Sequence, residues 1–289
     1  MKQIIVPLDF SDESINGLEL AIMISSKTKA NLQMVYVIKS TVDFSQISKE
    51  EEQRYAKSRL LELQARYEHK LAKGVNLSFI IKKGKVYDEV VEQAESFDDS
   101  VIVASTHGAS GFEEFFIGSN ALKIITASEG PVIAIKHGVM PKTFRKILMP
   151  IDYTRDTRQK VPFTLKLAKY FDSEVHVMGV SSGSDQELMA RIKSWSKQVA
   201  EHLAENNVQA VTSYHRGDSI SDLIVDYSKK ERIDLISIMT EQSSALSNFL
   251  IGSNAQQLIS KAPVPVLCIT PKELNIKIGF RTYGDVPPA

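Results

Sequence analysis

Short apolar runs alternate along the chain with longer stretches in which apolar residues recur at helical spacing. VIVAS at 101–105 and LISIM at 235–239 are nearly continuously apolar, which is typical of parallel strands covered on both faces. In the first half these patterns predict strands near 2–8, 31–38, 75–82, 100–105 and 131–136, with helices near 12–28, 47–72, 85–97 and 118–128. Alternating strands and helices with short connections predict an α/β fold with a doubly wound parallel sheet.

The second half of the chain repeats the pattern of the first. EFFIGSNALKIITASEGPVIAIK aligns without a gap with NFLIGSNAQQLISKAPVPVLCIT, and KQIIVPLDFSDES aligns with RKILMPIDYTRDT. Matching strands are predicted near 145–151, 174–181, 208–215, 233–239 and 264–269. A repeat of this length indicates a duplicated domain rather than a solenoid unit. The prediction is therefore two tandem five-stranded α/β domains.

The repeat also predicts where the domains begin and end. The first is expected at 1–137 and the second at 144–271, with HGVMPKTF as the linker between them and 272–289 as a tail. Asp9 and Asp152 are 143 residues apart, whereas Ser119 and Ser253 are 134 residues apart, so the first half carries nine additional residues. We expect these in the polar stretch 41–52, where the second half has only SSGSDQ.

Composition and charge exclude several classes of partner. The chain has 35 basic and 35 acidic residues, so its net charge of zero gives no electrostatic case for a nucleic-acid or membrane partner. The start of the chain lacks the pattern of a signal peptide and no apolar stretch is long enough to span a membrane, so a cytoplasmic location is expected. Cys268, the single cysteine, lies in the apolar run PVLCIT and is expected to be a buried structural thiol.

Candidate binding chemistry lies where the predicted strands end. In an open α/β sheet, ligands bind outside the carboxyl ends of the strands, where the strand order reverses. With the expected order 3-2-1-4-5, Asp9 and the segment STHGASGFEEFFIGSN flank that point. Gly118-Ser119-Asn120 opens the last helix of the first half, and a helix N-terminus favours phosphate. A phosphate-binding loop is the favoured interpretation, and the alternative is a structural turn with Ser119 as a helix cap.

This layout resembles that of a tandem universal stress protein over nearly the whole chain, apart from the tail. Nucleotide-binding members of that family carry a glycine, two residues, a second glycine, nine residues and then Gly-Ser or Gly-Thr. Gly108 and Gly118-Ser119 have the nine-residue spacing, whereas Ser105 stands at the first glycine position. The resemblance implies an adenine nucleotide such as ATP in the first half. The candidate nucleotide-binding residues are Pro7, Asp9, Val37, Ser105, His107, Gly108, Gly118, Ser119 and Asn120.

The resemblance also assigns roles to these positions. Gly108 and the residues 118–120 would hold the ribose and the phosphates, and Pro7 and Asp9 would lie against the base and the ribose. The backbone of Val37 would meet the adenine. Two alternatives stay open: Asp9 as a solvated acid at a strand end, and His107 as a solvated loop residue rather than a ligand contact.

The second half departs further from the family motif. Met239 and Gln242 stand at the two glycine positions, and side chains there would crowd the backbone approach that phosphates need. The second half is therefore expected to be a partner domain with a closed site. The resemblance implies that the two halves pair through their last strands, PVIAIK and PVLCIT. The same packing between two chains would give a homodimer, which is also expected. The residues expected at or beside that interface are Val132, Ile133, Val266 and Leu267.

Catalytic and metal chemistry find little support. The six histidines show no metal-ligand spacing, and no nucleophile with an evident general base stands out, so neither a metal site nor an enzyme is expected. Three functions remain: a nucleotide-binding regulatory or stress-response protein, a ligand-free scaffold that acts through protein contacts, and, with the weakest support, a slow ATP hydrolase.

Overall fold

The computed structural model describes residues 1–39, 48–106, 117–240 and 252–272. The chain forms two compact units, Met1–Lys142 and Thr143–Ala289, called here the first and the second unit. Most of the tail expected at 272–289 lies outside the described residues.

In the residues described, the first unit forms a parallel sheet of five strands with four helices. The strands are ordered β3-β2-β1-β4-β5, and every neighbouring pair is parallel. The elements are β1 Gln3–Pro7, α1 Asp12–Thr28, β2 Asn31–Lys39, α2 Lys49–Glu68, β3 Leu77–Gly84, α3 Val86–Glu95, β4 Ser100–Ser105, α4 Ser119–Ala127 and β5 Val132–Ile135.

The second unit repeats this arrangement. Its strands are ordered β8-β7-β6-β9-β10 and are again parallel, so each unit has its third, second, first, fourth and fifth strands side by side in that order. The elements are β6 Lys146–Ile151, a 3₁₀ helix Arg155–Arg158, α5 Val161–Phe171, β7 Glu174–Ser181, α6 Gln186–Glu205, β8 Ala210–Arg216, α7 Ile220–Glu231, β9 Leu235–Met239, α8 Ser253–Lys261 and β10 Val266–Ile269. The predicted α/β fold class is confirmed.

The central strands are apolar because helices cover them on both faces. Ile4, Ile5 and Val6 of β1 are fully buried, and so are Ile147 and Leu148 of β6. Such strands read as continuous apolar runs rather than as an alternation of apolar and polar residues. Burial of both faces leaves the ends of the strands as the places where polar side chains meet solvent.

The first helix differs between the two units. In the first unit Ser11 caps α1, accepting a hydrogen bond from the Ser14 N–H at 3.2 Å, and the helix runs unbroken for 17 residues. In the second unit Pro162 lacks the N–H that a continuous helix would need, so a 3₁₀ helix ends at Arg158 and α5 begins only at Val161. Lys160 therefore stands at the break, as the N-cap of α5.

The nine additional residues of the first half are divided between two connections, so the expectation of a single insertion is wrong. Residues 40–48 join β2 to α2, where 182–185 join β7 to α6 in the second unit. Residues 69–76 join α2 to β3, where only 206–209 join α6 to β8. Both connections begin or end at a helix terminus, where added residues leave the sheet undisturbed.

Among the described helices, none is both long enough and apolar enough to cross a membrane.

Candidate functional site

A hydrogen-bonded turn follows β1 and fixes the Asp9 side chain. Asp9 accepts hydrogen bonds at Oδ1 from the N–H of Ser11, at 3.1 Å, and from the Ser11 hydroxyl. The Asp9 N–H in turn donates to the Ser14 hydroxyl at 3.4 Å. An aspartate side chain that bonds the backbone two residues later forms such a turn readily. The carboxylate is exposed and is held at the start of α1.

The second unit repeats this turn with the same geometry. Asp152 Oδ1 accepts from the Thr154 N–H at 2.9 Å and from the Thr154 hydroxyl at 2.6 Å. The Asp152 N–H donates to the Thr157 hydroxyl at 3.1 Å. Thr154 and Thr157 therefore do what Ser11 and Ser14 do in the first unit.

The other described candidate residues of the first unit lie at the same edge of the sheet. Pro7 ends β1 and pairs with Val35 of β2, so Val37 lies two residues beyond that pair. Ser105 ends β4, the neighbour of β1 on the other side. The carboxyl ends of β1, β2 and β4 thus bring Pro7, Asp9, Val37 and Ser105 to one edge. His107 and Gly108 lie outside the described residues.

The start of α4 is fastened to the end of β4. The Thr106 N–H donates to the Ile135 carbonyl at 2.8 Å, and the Gly118 N–H donates to the Thr106 carbonyl at 2.7 Å. Residues 118–120 are expected to hold phosphates, but the N–H of Gly118 does not point toward one, because it already has a carbonyl partner. This hydrogen bond places the helix start beside the strand end, as a binding loop requires.

Gly118, rather than Ser119, caps α4. Gly118 has φ −57° and ψ 143°, and no side chain caps the helix. Ser119 is already the first helical residue, so the alternative in which its hydroxyl caps the helix does not hold. Ser119 and Asn120 are exposed in the first turn, where the N–H groups and the positive end of the helix dipole favour an anion.

An aromatic group borders the turn of the first unit. Phe10 adopts a left-handed backbone with φ +66° and stacks on Tyr36, with ring centroids 4.9 Å apart. The Tyr36 hydroxyl donates to Glu52 at 3.1 Å, and burial followed by this hydrogen bond raises the pKa of Tyr36 to about 12. The left-handed conformation is uncommon for a non-glycine residue, so the stack contributes to holding the loop after Asp9 in place.

The second unit holds a small cavity at the matching edge, where Met239 and Gln242 predict a site closed to phosphates. The cavity has a volume of about 150 Å³, and its lining includes Pro150, Asp152, Val180 and Asn254. Met239 lines the cavity as well. Gln242 lies outside the described residues.

Lys160 is a site residue that the sequence motifs did not indicate. It lines this cavity, is 2% exposed, and donates from Nζ to the Thr157 carbonyl and, at 3.3 Å, to the Thr157 hydroxyl. Burial lowers the pKa of Lys160 to about 8, although the charge of Asp152 opposes this shift. The alignment of the two halves contained a signal for this residue. Lys160 aligns with Gly17, 143 residues earlier, so a charged side chain stands where the first half has none.

Across 1–39, 48–106, 117–240 and 252–272, no group of three or more histidine, cysteine, aspartate or glutamate side chains is placed to hold a metal ion.

Comparisons with known proteins agree with the repeat and the fold. A model of the universal stress protein family matches residues 1–136 and 143–270. A universal stress protein of Methanocaldococcus jannaschii is 29% identical over 140 residues, covering 44% of this chain and 82% of that protein. One of Synechocystis is 21% identical over 294 residues, covering 92% of this chain and 99% of that protein.

The fold has close counterparts among solved structures. The crystal structure of a universal stress protein from Archaeoglobus fulgidus matches with a TM-score of 0.76 at 20% identity, covering 93% of this chain and 98% of that chain. A putative universal stress protein from Pseudomonas aeruginosa matches with a TM-score of 0.66 at 17% identity, covering 94% of each chain. Because the family model matches both halves, the chain belongs to the universal stress protein family.

Proposed function

We propose that the first unit binds an adenine nucleotide, with ATP as the leading candidate, and that the chain acts as a regulatory stress-response protein. The observation that carries the proposal is the meeting of the Asp9 turn and the start of α4 at the carboxyl ends of β1 and β4. This is the point where the strand order reverses, and nucleotides bind there in open α/β sheets.

The start of α4 supplies a place for the phosphates. The first turn of the helix has N–H groups without a side-chain cap, and Ser119 and Asn120 are exposed there. The hydrogen bond from Gly118 to Thr106 holds this turn beside the end of β4. A preformed helix start binds phosphate without having to order the backbone first.

The turn after β1 supplies a place for the sugar and the base. Asp9 is held by Ser11, and its exposed carboxylate suits the hydroxyl donors of a ribose. Pro7 ends β1 and Val37 lies near the end of the neighbouring strand β2, where its side chain is mostly buried and its backbone can meet the base. An anion-favouring helix start and a hydroxyl-accepting carboxylate at one edge of the sheet suit the two ends of a nucleoside phosphate.

A ligand-free scaffold is the second candidate. Ser105 stands where nucleotide-binding relatives of the resembled type carry a glycine, and its side chain lies at the edge where the backbone would approach the nucleotide. In that case the protein acts through contacts with other proteins, and the first unit takes no nucleotide.

Ligand extraction and titration distinguish the two candidates. Mass spectrometry of material released from freshly purified protein should detect an adenine nucleotide, and calorimetry should show ATP binding to the ligand-free protein. Asp9→Asn should weaken ATP binding about tenfold, the scale of a lost charge-assisted hydrogen bond. Asp152→Asn alters the same turn in the second unit and should leave ATP affinity unchanged. Absence of any ATP binding by the unmodified protein favours the scaffold.

A further inference from the structure

The cavity of the second unit has no role in the proposed function. It lies at the carboxyl ends of β6, β7 and β9, at the point where the strand order of the second unit reverses. Its volume of about 150 Å³ is far too small for ATP. An engineered protein cavity of about 150 Å³ holds one benzene molecule. The space therefore suits a compact ligand rather than a nucleotide.

A positive charge is buried in the wall of this cavity. Lys160 is 2% exposed, and both of its hydrogen bonds go to neutral oxygens of Thr157. Among the described residues, no carboxylate lies within ion-pair distance of the Lys160 ammonium. A buried charge is costly unless it is paired, so an anionic ligand group beside Lys160 would stabilise the ammonium further than the Asp152 carboxylate does from beyond ion-pair distance.

A negatively charged side chain lies in the same wall of the cavity. Asp152 lines the cavity and uses Oδ1 for its turn, and its other carboxylate oxygen has no hydrogen-bond partner among the described residues. A ligand made only of an anion would be repelled by Asp152. A ligand that also carries a hydroxyl or an amine can donate to that oxygen.

Part of the remaining wall is apolar, and polar side chains such as Thr154, Ser181 and Ser221 also line it. The apolar lining residues are Ile220, Ile224, Ile238, Met239 and Leu258. The α8 helix begins at Gly252 without a side-chain cap, and Asn254 of its first turn also lines the cavity. The helix start adds to the attraction of Lys160 for an anion. The ligand must therefore present one branched apolar body to the isoleucines.

We propose that the second unit binds a small amphipathic organic acid, whose carboxylate pairs with Lys160, whose hydroxyl or amino group donates to Asp152, and whose branched hydrocarbon body packs against Ile220, Ile224 and Ile238. This site takes a different class of ligand from the first unit. Lys160 and Met239 of the second unit stand at the positions that Gly17 and Ser105 occupy in the first. Lys160 gives the site its charge, and the two longer side chains make the site small.

Titration of the full chain with α-hydroxyisovalerate tests the proposal. With isoleucine methyl groups labelled for NMR, the resonances of Ile220, Ile224 and Ile238 should shift saturably. The neutral amide of the same acid should bind at least tenfold more weakly, because it lacks the charge that Lys160 pairs with. Lys160→Met should weaken binding of the acid by the same factor, whereas Lys169→Met, which removes an exposed lysine of α5, should leave it unchanged.

A second variant separates the two polar contacts. Asp152→Asn should weaken α-hydroxyisovalerate but leave isovalerate, which has no hydroxyl, unaffected. Emission of Trp195, the single tryptophan, reports whether each variant remains folded. The proposal is overturned if the three methyl groups show no saturable shift, if Lys160→Met binds the acid as tightly as the unmodified protein, or if ATP produces the shifts instead. The first two outcomes leave the proposed ATP site of the first unit untouched, whereas the third would indicate that ATP binds to the second unit.

Discussion

Replacing Lys160 with methionine removes a buried charge while keeping most of its apolar stem. The ammonium is 2% exposed and rests against Thr157 rather than against a carboxylate. Burial lowers the pKa of Lys160 from 10.5 to about 8 in the folded protein. The folded state therefore disfavours the charged form, and the variant has no such penalty.

The sign and size of the effect follow from proton binding. Between about pH 8 and 10.5 the unfolded chain holds a proton on Lys160 that the folded protein has lost, so the free energy of unfolding rises with pH across this window. Each pKa unit corresponds to about 1.4 kcal/mol, so the shift amounts to about 3 kcal/mol. The stability of Lys160→Met relative to the unmodified protein should be greatest below about pH 8 and should fall by about 3 kcal/mol by pH 10.5.

Denaturant unfolding followed by tryptophan fluorescence measures this difference. Trp195 is the single tryptophan, is 8% exposed, and belongs to the second unit, so its emission reports unfolding of the unit that contains Lys160. Taking the difference between two proteins at each pH cancels the titration of all other groups. Lys169→Met, which removes an exposed ammonium on α5, serves as the matched control. A flat difference for Lys160→Met would refute the argument that burial penalises this charge.

Three further predictions concern the two units. Gly118 and Gly252 cap α4 and α8 with φ of −57° and −56°, so valine fits the backbone at both. Only Gly118→Val should weaken ATP binding, by at least tenfold in calorimetry, because its side chain would crowd the helix start where we propose that the phosphates bind. The reverse pattern would contradict a site in the first unit. Burial raises the pKa of the Cys268 thiol, so iodoacetamide should modify it only in denaturant, and rapid labelling of the native protein would show that the strand opens. If the halves pair through β5 and β10, as the family resemblance implies, halves produced separately should self-associate in sedimentation, and two well-folded monomers would count against pairing.

The repeat made most of the fold predictable from the sequence. The continuous apolar runs and the stretches with helical spacing predicted the strands and helices of both sheets. This works because strands that are buried on two faces must be continuously apolar. The division of the nine additional residues could not be predicted, because polar residues fit either connection of α2 equally well. The break before α5 had a visible signal in Pro162, which lacks the N–H of a continuous helix.

The candidate sites were less predictable than the fold. Aligned positions identified Asp9 and Asp152, because the turn that follows each of them is a local arrangement. The partner of the Gly118 N–H depends on a tertiary contact with Thr106, and sequence spacing carries no information about it. The cavity beside Met239 depends on how that side chain packs, so the residue type alone suggested a closed site.

The stoichiometry of ATP binding tests the central claim most directly. Calorimetric titration of the full chain, after removal of any co-purified ligand, should give one ATP per chain, and Asp9→Asn should weaken that binding while Asp152→Asn leaves it unchanged. Two ATP molecules per chain, or one whose affinity depends on Asp152 rather than on Asp9, would contradict a nucleotide site in the first unit alone.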